Sequence, residues 1–483
     1  MTELAGCDPV GPNYARPEPP VPAQFVEAGP WKEAVPQDTI ARGDWWTIFG
    51  DSTLDRLQAE AVKQNPNLRA AANRVLQAQA IAGISKSYMY PELQVGGLAQ
   101  RFANNSNFAT LVDPATVTAN TATITDGFKA VPLYATWEID FWGRIRRQME
   151  AAMAELGASI AAYQTAMLTL NGEIAQTYFD LRTTDELQRI INDSIALYRG
   201  TYELVKARRA NGLSGDVPLS EAETALRTIE AQSPPIEAQR VRLVNKLAVL
   251  IGTNPENLTI VKEPYRQAIP AIPVGLPSDL LQRRPDIARA ERELVAYNAR
   301  IGVAVAAYFP TIQLTSAVGF ESFALSTLVQ PTSNIWGIGL SLFQSLFNSG
   351  RTTLNVERSR AAYDEQVALY QALLLKSFQE VETALAGLRQ LSLQARLQQI
   401  AVASAGSTAT LASQRFQQGL VSMLDVLTAQ RAVLTSRTVA IQITNDRLMT
   451  TVALIKALGG GWQDRPQQIP EGLRSMWAPP LER

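Results

Sequence analysis

One stretch of this chain occurs twice at constant spacing. Arg144 and Arg351, Tyr163 and Tyr370, Glu173 and Glu380, Gly212 and Gly419, and Gly252 and Gly459 are each 207 residues apart, without gaps. Upstream, Pro66 and Pro285, Gly83 and Gly302, Pro91 and Pro310, and Gln94 and Gln313 are each 219 apart. The offset drops by twelve (219 − 207) between Gln94 and Arg144, so the first copy carries a longer strand-to-strand loop. A chain built this way must fold as two copies of one unit: helix, strand pair, long helix, returning helix.

The unit is legible in its periods. Leu133, Ala135, Trp137, Ile139 and Phe141 share one face of a strand and Tyr134, Thr136, Glu138, Asp140 and Trp142 the other. After Gly143 the period changes. Met149, Met153, Leu156, Ile160, Tyr163, Met167, Leu170, Ile174, Tyr178 and Leu181 follow by threes and fours, and no proline interrupts before Gly212. A helix over 144–210 would be roughly 100 Å long, which calls for an elongated body. The second copy repeats the stripe as Tyr363, Val367, Tyr370, Leu374, Val381, Leu385 and Leu388. In the final helix Leu420, Leu427, Leu434, Ile441, Leu448 and Ile455 fall at strict sevens, the strongest heptad in the chain.

Composition narrows the chemistry. The 483 residues hold no histidine and one cysteine, which removes the commonest general base and any zinc or disulfide framework. A net charge of −1 gives no nucleic-acid footprint, and no nucleophile elbow, phosphate loop or metal spacing supports an enzyme or a cofactor site. No run of eighteen apolar residues exists, so any membrane crossing must be made by strands.

In chain order, Leu4-Ala5-Gly6-Cys7 matches a bacterial lipobox, although the charged and apolar parts of a signal peptide do not precede it. Cys7 is either the lipidated residue of a mature lipoprotein or incidental. Residues 1–50 read as an anchor region and proline-rich arm, 51–252 as the first repeat and 253–275 as a linker. Residues 276–460 are the second repeat and 461–483 an irregular tail. Asn65-Pro66 breaks the first helix, with Asn65 as a cap. Residues 103–125 read as a surface loop. Pro234-Pro235 interrupts the first returning helix and has no counterpart in the second copy.

In the second copy Ile312, Leu314, Ser316, Val318 and Phe320 share a face, as do Trp336, Ile338, Leu340 and Leu342. Four strands of about ten residues match bilayer-crossing strands, but short alternating segments are common and by themselves more often belong to a soluble sheet packed on helices. Attachment to two helical pairs far longer than a globular core needs favours the membrane reading. Four strands cannot close a barrel, and an open edge in lipid is costly, so the expectation is a homotrimer with twelve strands.

The chain resembles the outer-membrane factor family, the TolC-like channels, and within it the NodT or OprM-like lipoproteins of resistance-nodulation-division efflux systems. Cys7 with the Gly-Pro-Asn-Tyr-Ala-Arg-Pro run at 11–17, Trp45-Trp46-Thr47-Ile48-Phe49-Gly50-Asp51, and Asn65-Pro66-Asn67-Leu68 carry the likeness. So do Trp137-Glu138-Ile139-Asp140-Phe141-Trp142-Gly143-Arg144, the motif over 276–287, and 302–310. The resemblance implies a mainly α fold with a small β part, an α-helical barrel continuing a transmembrane β-barrel. It also implies a homotrimer in outer-membrane lipid, a periplasmic adaptor and an inner-membrane pump as partners, and a duct for small molecules. A protein-secretion exit duct is the neighbouring alternative. An envelope-spanning scaffold without a conduit is the other, and it leaves the alternating strands unexplained.

The family's closed aperture is lined by Asp residues just after the periplasmic turn. Leu424-Asp425-Val426-Leu427 matches that motif, so Asp425 is the first gate candidate, and Asp216 the second. Thr428 stands where some relatives have a second Asp, and Pro218 lies opposite Asp425 in the repeat register. Helix capping is the competing role for both carboxylates. Arg208 and Arg209 are placed to pair with them across the turn.

Overall fold

The computed structural model describes residues 8–17, 44–104, 124–263, 269–270 and 284–460. Cys7, the segment 276–283 and the tail 461–483 lie outside them, as do parts of the arm and linker. In chain order the elements are α1 (Ser52–Gln64), α2 (Pro66–Ser87), β1 (Glu92–Val95), β2 (Leu98–Asn104), β3 (Ile124–Ile139), α3 (Arg144–Ala210), α4 (Asp216–Glu230) and α5 (Ser233–Ile251). The second copy gives α6 (Pro285–Ala306), β4 (Thr311–Ser322), β5 (Asn334–Phe343), α7 (Arg351–Gln417) and α8 (Met423–Ala457). No helix among the described residues is long and apolar enough to cross a membrane.

The duplication is present at the level of backbone angles. α3 and α7 are both 67 residues long, and α2 and α6 both 22. Three glycine pairs 207 apart share left-handed φ: Gly143 and Gly350 at 80° and 81°, Gly212 and Gly419 at 73° and 77°, Gly252 and Gly459 at 93° and 88°. Each pair marks where a long helix starts, a long helix ends, or a returning helix ends, conformations a side chain disfavours.

The chain divides into two compact units. The first comprises residues 1–17, 76–157 and 291–368; the second comprises 18–75, 158–290 and 369–483. In the first, α3 and α6 pack through Ala151, Ala154, Ala296 and Ala299, small residues that let the helices approach closely. The sheet runs in the order β1-β3-β4-β5 with β2 also on β3, all antiparallel. β1 and β2 keep one register against β3, so they are one strand path interrupted at Gly96-Gly97. The cause is Pro132, which cannot donate to the ladder there; Gly96 N donates to its carbonyl at 3.0 Å. Four strand paths result, as the sequence implies.

Two expectations are corrected here. β3 begins at Ile124 and β2 reaches Asn104, so both strands extend into what reads as loop at 103–125. β3 also ends at Ile139, and Asp140 is not a strand residue: its carboxylate accepts from Ile145 N (3.0 Å) and Arg146 N (2.9 Å) and caps α3. Trp142 likewise leaves the strand, stacks on Phe309 at 4.6 Å between centroids and donates Nε1 to Pro310 O.

In the second unit the Trp45-to-Asp51 motif has a packing role. Trp45, Trp46 and Phe49 are buried against α1, α3, α5 and α8. Asp51 Oδ1 caps α1 through Thr53 N and Leu54 N, while Oδ2 accepts Tyr178 OH at 2.6 Å. Burial and this hydrogen bond push the Tyr178 hydroxyl well above its ordinary pKa. Asn65 caps α2 through Leu68 N, as its place before Pro66 predicts. The break near Pro234 is also present, but the prolines occupy the first turn of α5 after a two-residue gap. In the final heptad Leu427, Ile441, Leu448 and Ile455 are buried, whereas Leu420 lies in the preceding turn and is exposed. The heptad therefore starts one position later than its spacing suggests. Asn445 donates to Asp180 Oδ1 (2.8 Å) and accepts Thr183 Oγ1 (2.9 Å), a polar bridge between α8 and α3 that specifies one register.

Candidate functional site: a two-faced sheet and two helix turns

Residues paired directly across antiparallel strands lie on one face. In β5 Trp336, Ile338, Leu340 and Leu342 stand opposite Val318, Ser316, Leu314 and Ile312 of β4, which stand opposite Leu133, Ala135, Trp137 and Ile139 of β3. Leu93 and Val95 of β1 complete the row. Apart from Ser316 this face is apolar. Trp336, Ile338, Leu340, Leu342, Leu93 and Val95 are all more than 60% exposed. The other face carries Glu92, Gln94, Tyr134, Thr136, Glu138, Gln313, Thr315, Ala317, Gly337, Gly339 and Ser341. Both faces are open, with Gln94, Gln313, Thr315 and Gly339 exposed on the polar one, and a sheet open on an apolar and a polar face suits hydrocarbon on the first and water on the second. Among the described residues the outer edges of β5 and of β1 with β2 have no strand partner.

The helices reverse at two pseudo-equivalent turns. At the first, Gly212 N donates to Arg209 O (2.9 Å) and Leu213 N to Arg208 O (2.8 Å). At the second, Gly419 N donates to Phe416 O (3.0 Å) and Leu420 N to Arg415 O (2.9 Å). Both are glycine-terminated helix ends that satisfy the last carbonyls. Beneath them Tyr198, Val205, Ala222, Leu226, Met423, Val426 and Leu427 form one buried cluster.

The two gate candidates differ in their bonding. Asp425 is exposed and completes a capping box: Oδ2 accepts from Ser422 N (2.9 Å) and Ser422 Oγ (2.6 Å), and its own N–H donates to Ser422 Oγ (3.3 Å). These bonds hold its carboxyl below the usual carboxylate range. Asp216 is the first residue of α4, whose N-cap is Gly215 with no side-chain cap. It does not cap; it pairs with Arg209 at 2.6 Å while remaining open to solvent. Arg208 pairs with neither carboxylate. Its Nη1 donates to Phe416 O at 3.1 Å and its guanidinium lies 4.8 Å over the Phe416 ring, joining the two turns.

A further constellation escapes sequence reading. Arg147, with a side chain 4% exposed, donates to Pro9 O, Val10 O, Gly11 O and Asn13 Oδ1 and pairs with Glu150. Asn298 donates to Pro12 O, and Val10 N donates to Trp142 O. The arm crosses Gly302 so closely that a Cβ on Gly11 would lie 2.5 Å from Gly302 Cα. The arm thus straps the passage from β3 to α3. The run at 11–17, the motif ending at Gly143-Arg144 and the repeat glycine at 302 each stand out in the sequence, but nothing in their spacing joins them or points to Arg147.

The family described as outer membrane efflux protein matches residues 57–253 and 276–460. The chain is 30% identical over 465 residues to the cation efflux system protein CusC of Escherichia coli O6:H1, covering 95% of this chain and 97% of that one. It is 33% identical over 429 residues to the pyoverdine export outer membrane protein OpmQ of Pseudomonas aeruginosa, covering 88% and 89%. The solved structure of the outer-membrane channel OprN matches with a TM-score of 0.86 at 26% identity, over 94% of this chain and 99% of that one. With a family match over most of its length and relatives aligned nearly end to end, the chain belongs to the outer membrane efflux protein family.

Proposed function

We propose that this protein is the passive exit duct of a tripartite efflux pump, a channel and not a catalyst, which conducts small molecules across the outer membrane. The observation that carries the reading is the sheet: a bare apolar face, a polar opposite face and two unpaired edges in one chain. Unpaired edges cannot rest in hydrocarbon, so copies of the chain close the wall, and three copies supply twelve strand paths. Residues 51–252 and 276–460 are the two repeats of each wall segment, and Cys7 is the lipid attachment point of the arm. A periplasmic adaptor and an inner-membrane pump complete the assembly and open the duct at the turns near Asp425 and Asp216. The names of CusC and OpmQ specify cation efflux and pyoverdine export, which favours small solutes over secreted proteins as cargo.

The test is to delete the gene in a strain lacking its other outer-membrane ducts, then compare sensitivity to a panel of toxic compounds with and without a restored copy. Hypersensitivity to several unrelated compounds, reversed by the copy, is expected. A strain indistinguishable from its parent across the panel would defeat the reading.

A further inference from the structure

The two strand-to-helix junctions of the repeat differ sharply. At the first, Glu138 pairs with Arg144 (2.6 Å), Asp140 pairs with Arg146 and caps α3, and Pro9 of the arm lies over Gly143, where a Cβ would come within 2.5 Å of it. Applying the 207-residue offset, the second junction puts Ser345, Phe347 and Leu354 in place of Glu138, Asp140 and Arg147. Nothing lies within 4 Å of a Cβ on Gly350. Among the described residues neither the ion pairs nor the strap is repeated there. In their place Leu346 is 93% exposed and Phe347 87%, and Phe343 and Leu354 are open as well. Leu346 and Phe347 are the barest large apolar side chains among the described residues.

We infer that this second junction is a docking surface for another copy of the chain, and that its occupant is the neighbour's α2-to-β1 turn with Tyr88 and Tyr90. The inference rests on the oligomeric reading above and adds the residues that lock it. Three observations select this occupant. The patch continues directly from β5, whose outer edge needs a strand partner, and a partner strand lies about 4.8 Å away. Strand directions alternate through β1, β3, β4 and β5, so a neighbour's β1 added antiparallel to β5 begins at the end where β5 stops. That start is preceded by Tyr88 and Tyr90, themselves exposed, which supply aromatic surface to match Phe347 and Leu346. Hydrocarbon is the rival occupant, since the lipid-facing row of β5 ends nearby at Leu342.

The experiment places a photo-crosslinking phenylalanine analogue at Phe347 of the full-length protein in its native membrane, with the same probe at Trp336 as a lipid-facing control. Expected is a product of twice the chain mass whose crosslinked peptide contains Tyr88 or Tyr90, from the Phe347 probe only. In parallel, Phe347→Ser with Leu346→Ser is expected to lower the temperature at which the assembly dissociates, while Trp336→Phe is not. An oligomeric protein whose Phe347 probe reacts only with lipid or with its own chain overturns the docking surface and leaves the duct intact. A protein that is a single chain by mass in detergent overturns the oligomeric reading itself.

Discussion

Arg147 Nη2 donates a 2.7 Å hydrogen bond to Asn13 Oδ1 across 134 positions of sequence. The same guanidinium gathers three arm carbonyls, so one buried cation holds the N-terminal arm on the β3-to-α3 passage. The energetic logic is that a buried charge is tolerated only when its donors are satisfied, and here the arm satisfies them.

Arg147→Met should therefore release the arm without unfolding α3. The expected loss is about 1–3 kcal/mol of local stability, read as roughly 5- to 160-fold faster hydrogen exchange at Val10 N–H, with unchanged exchange in the middle of α3.

Gly143 and Gly350 form a matched pair that separates backbone strain from packing. Their φ values differ by one degree, but only Gly143 is covered by Pro9. Gly350→Ala should cost about 1 kcal/mol for the left-handed conformation alone. Gly143→Ala should cost about 1–3 kcal/mol more from overpacking, and removing residues 8–17 should reduce that difference. Thermal unfolding of the four proteins decides it.

Ser422→Ala and Asp425→Asn distinguish capping from gating. Ser422→Ala should fray the first turn of α8 and leave cation preference in planar bilayers unchanged, because the carboxylate remains. Asp425→Asn should lower cation preference and raise the resting current. Equal selectivity in both would remove Asp425 from the gate.

The pH dependence of the same cap follows from the depressed Asp425 pKa. A carboxyl whose folded pKa lies below its unfolded value contributes stability above the unfolded value and loses it as pH falls through the folded one. Protection of the α8 N-terminus should hold at neutral pH and fail only below about pH 3.8, the ordinary Asp value. Ser422→Ala should abolish that acid step in hydrogen exchange.

Gly319 faces Pro132 at the centre of the sheet, where a Cβ would lie 2.4 Å from Val131 O and 2.7 Å from Pro132 Cα. Both contacts are backbone, so β3 and β4 must part to admit it. Gly319→Ala should cost about 2 kcal/mol or more and reduce the fraction of protein that reaches the membrane as an assembled oligomer. Gly337→Ala, in open space, should not.

Local period made much of this protein legible from residues alone. The 67-residue helices, the glycine that ends each of them and the division of each strand into an apolar and a polar face follow from patterns only a few residues long, and the duplication from the constant 207-residue spacing of such landmarks. Side-chain direction is set by the element's own geometry, so such patterns survive translation into structure. The same logic failed at element ends. Asp140 continued the alternation of β3 in sequence, yet the uncapped N–H groups of α3 recruited its carboxylate, and Leu420 continued a heptad past the point where Ser422 starts the helix.

The order of residues alone was enough to show which faces are apolar and that the unit recurs, because a side chain's face follows from its place in its own element. The local partners were within reach of sequence, since Arg209 stands across the turn from Asp216 and Ser422 three residues before Asp425, but Arg147 with the arm and Arg208 with Phe416 were settled only by the tertiary fold. A guanidinium takes whichever acceptors lie nearest in space, and for Arg147 and Arg208 the acceptors on Asn13 and Phe416 are 134 and 208 positions away along the chain, so they come within reach only when the chain has folded back.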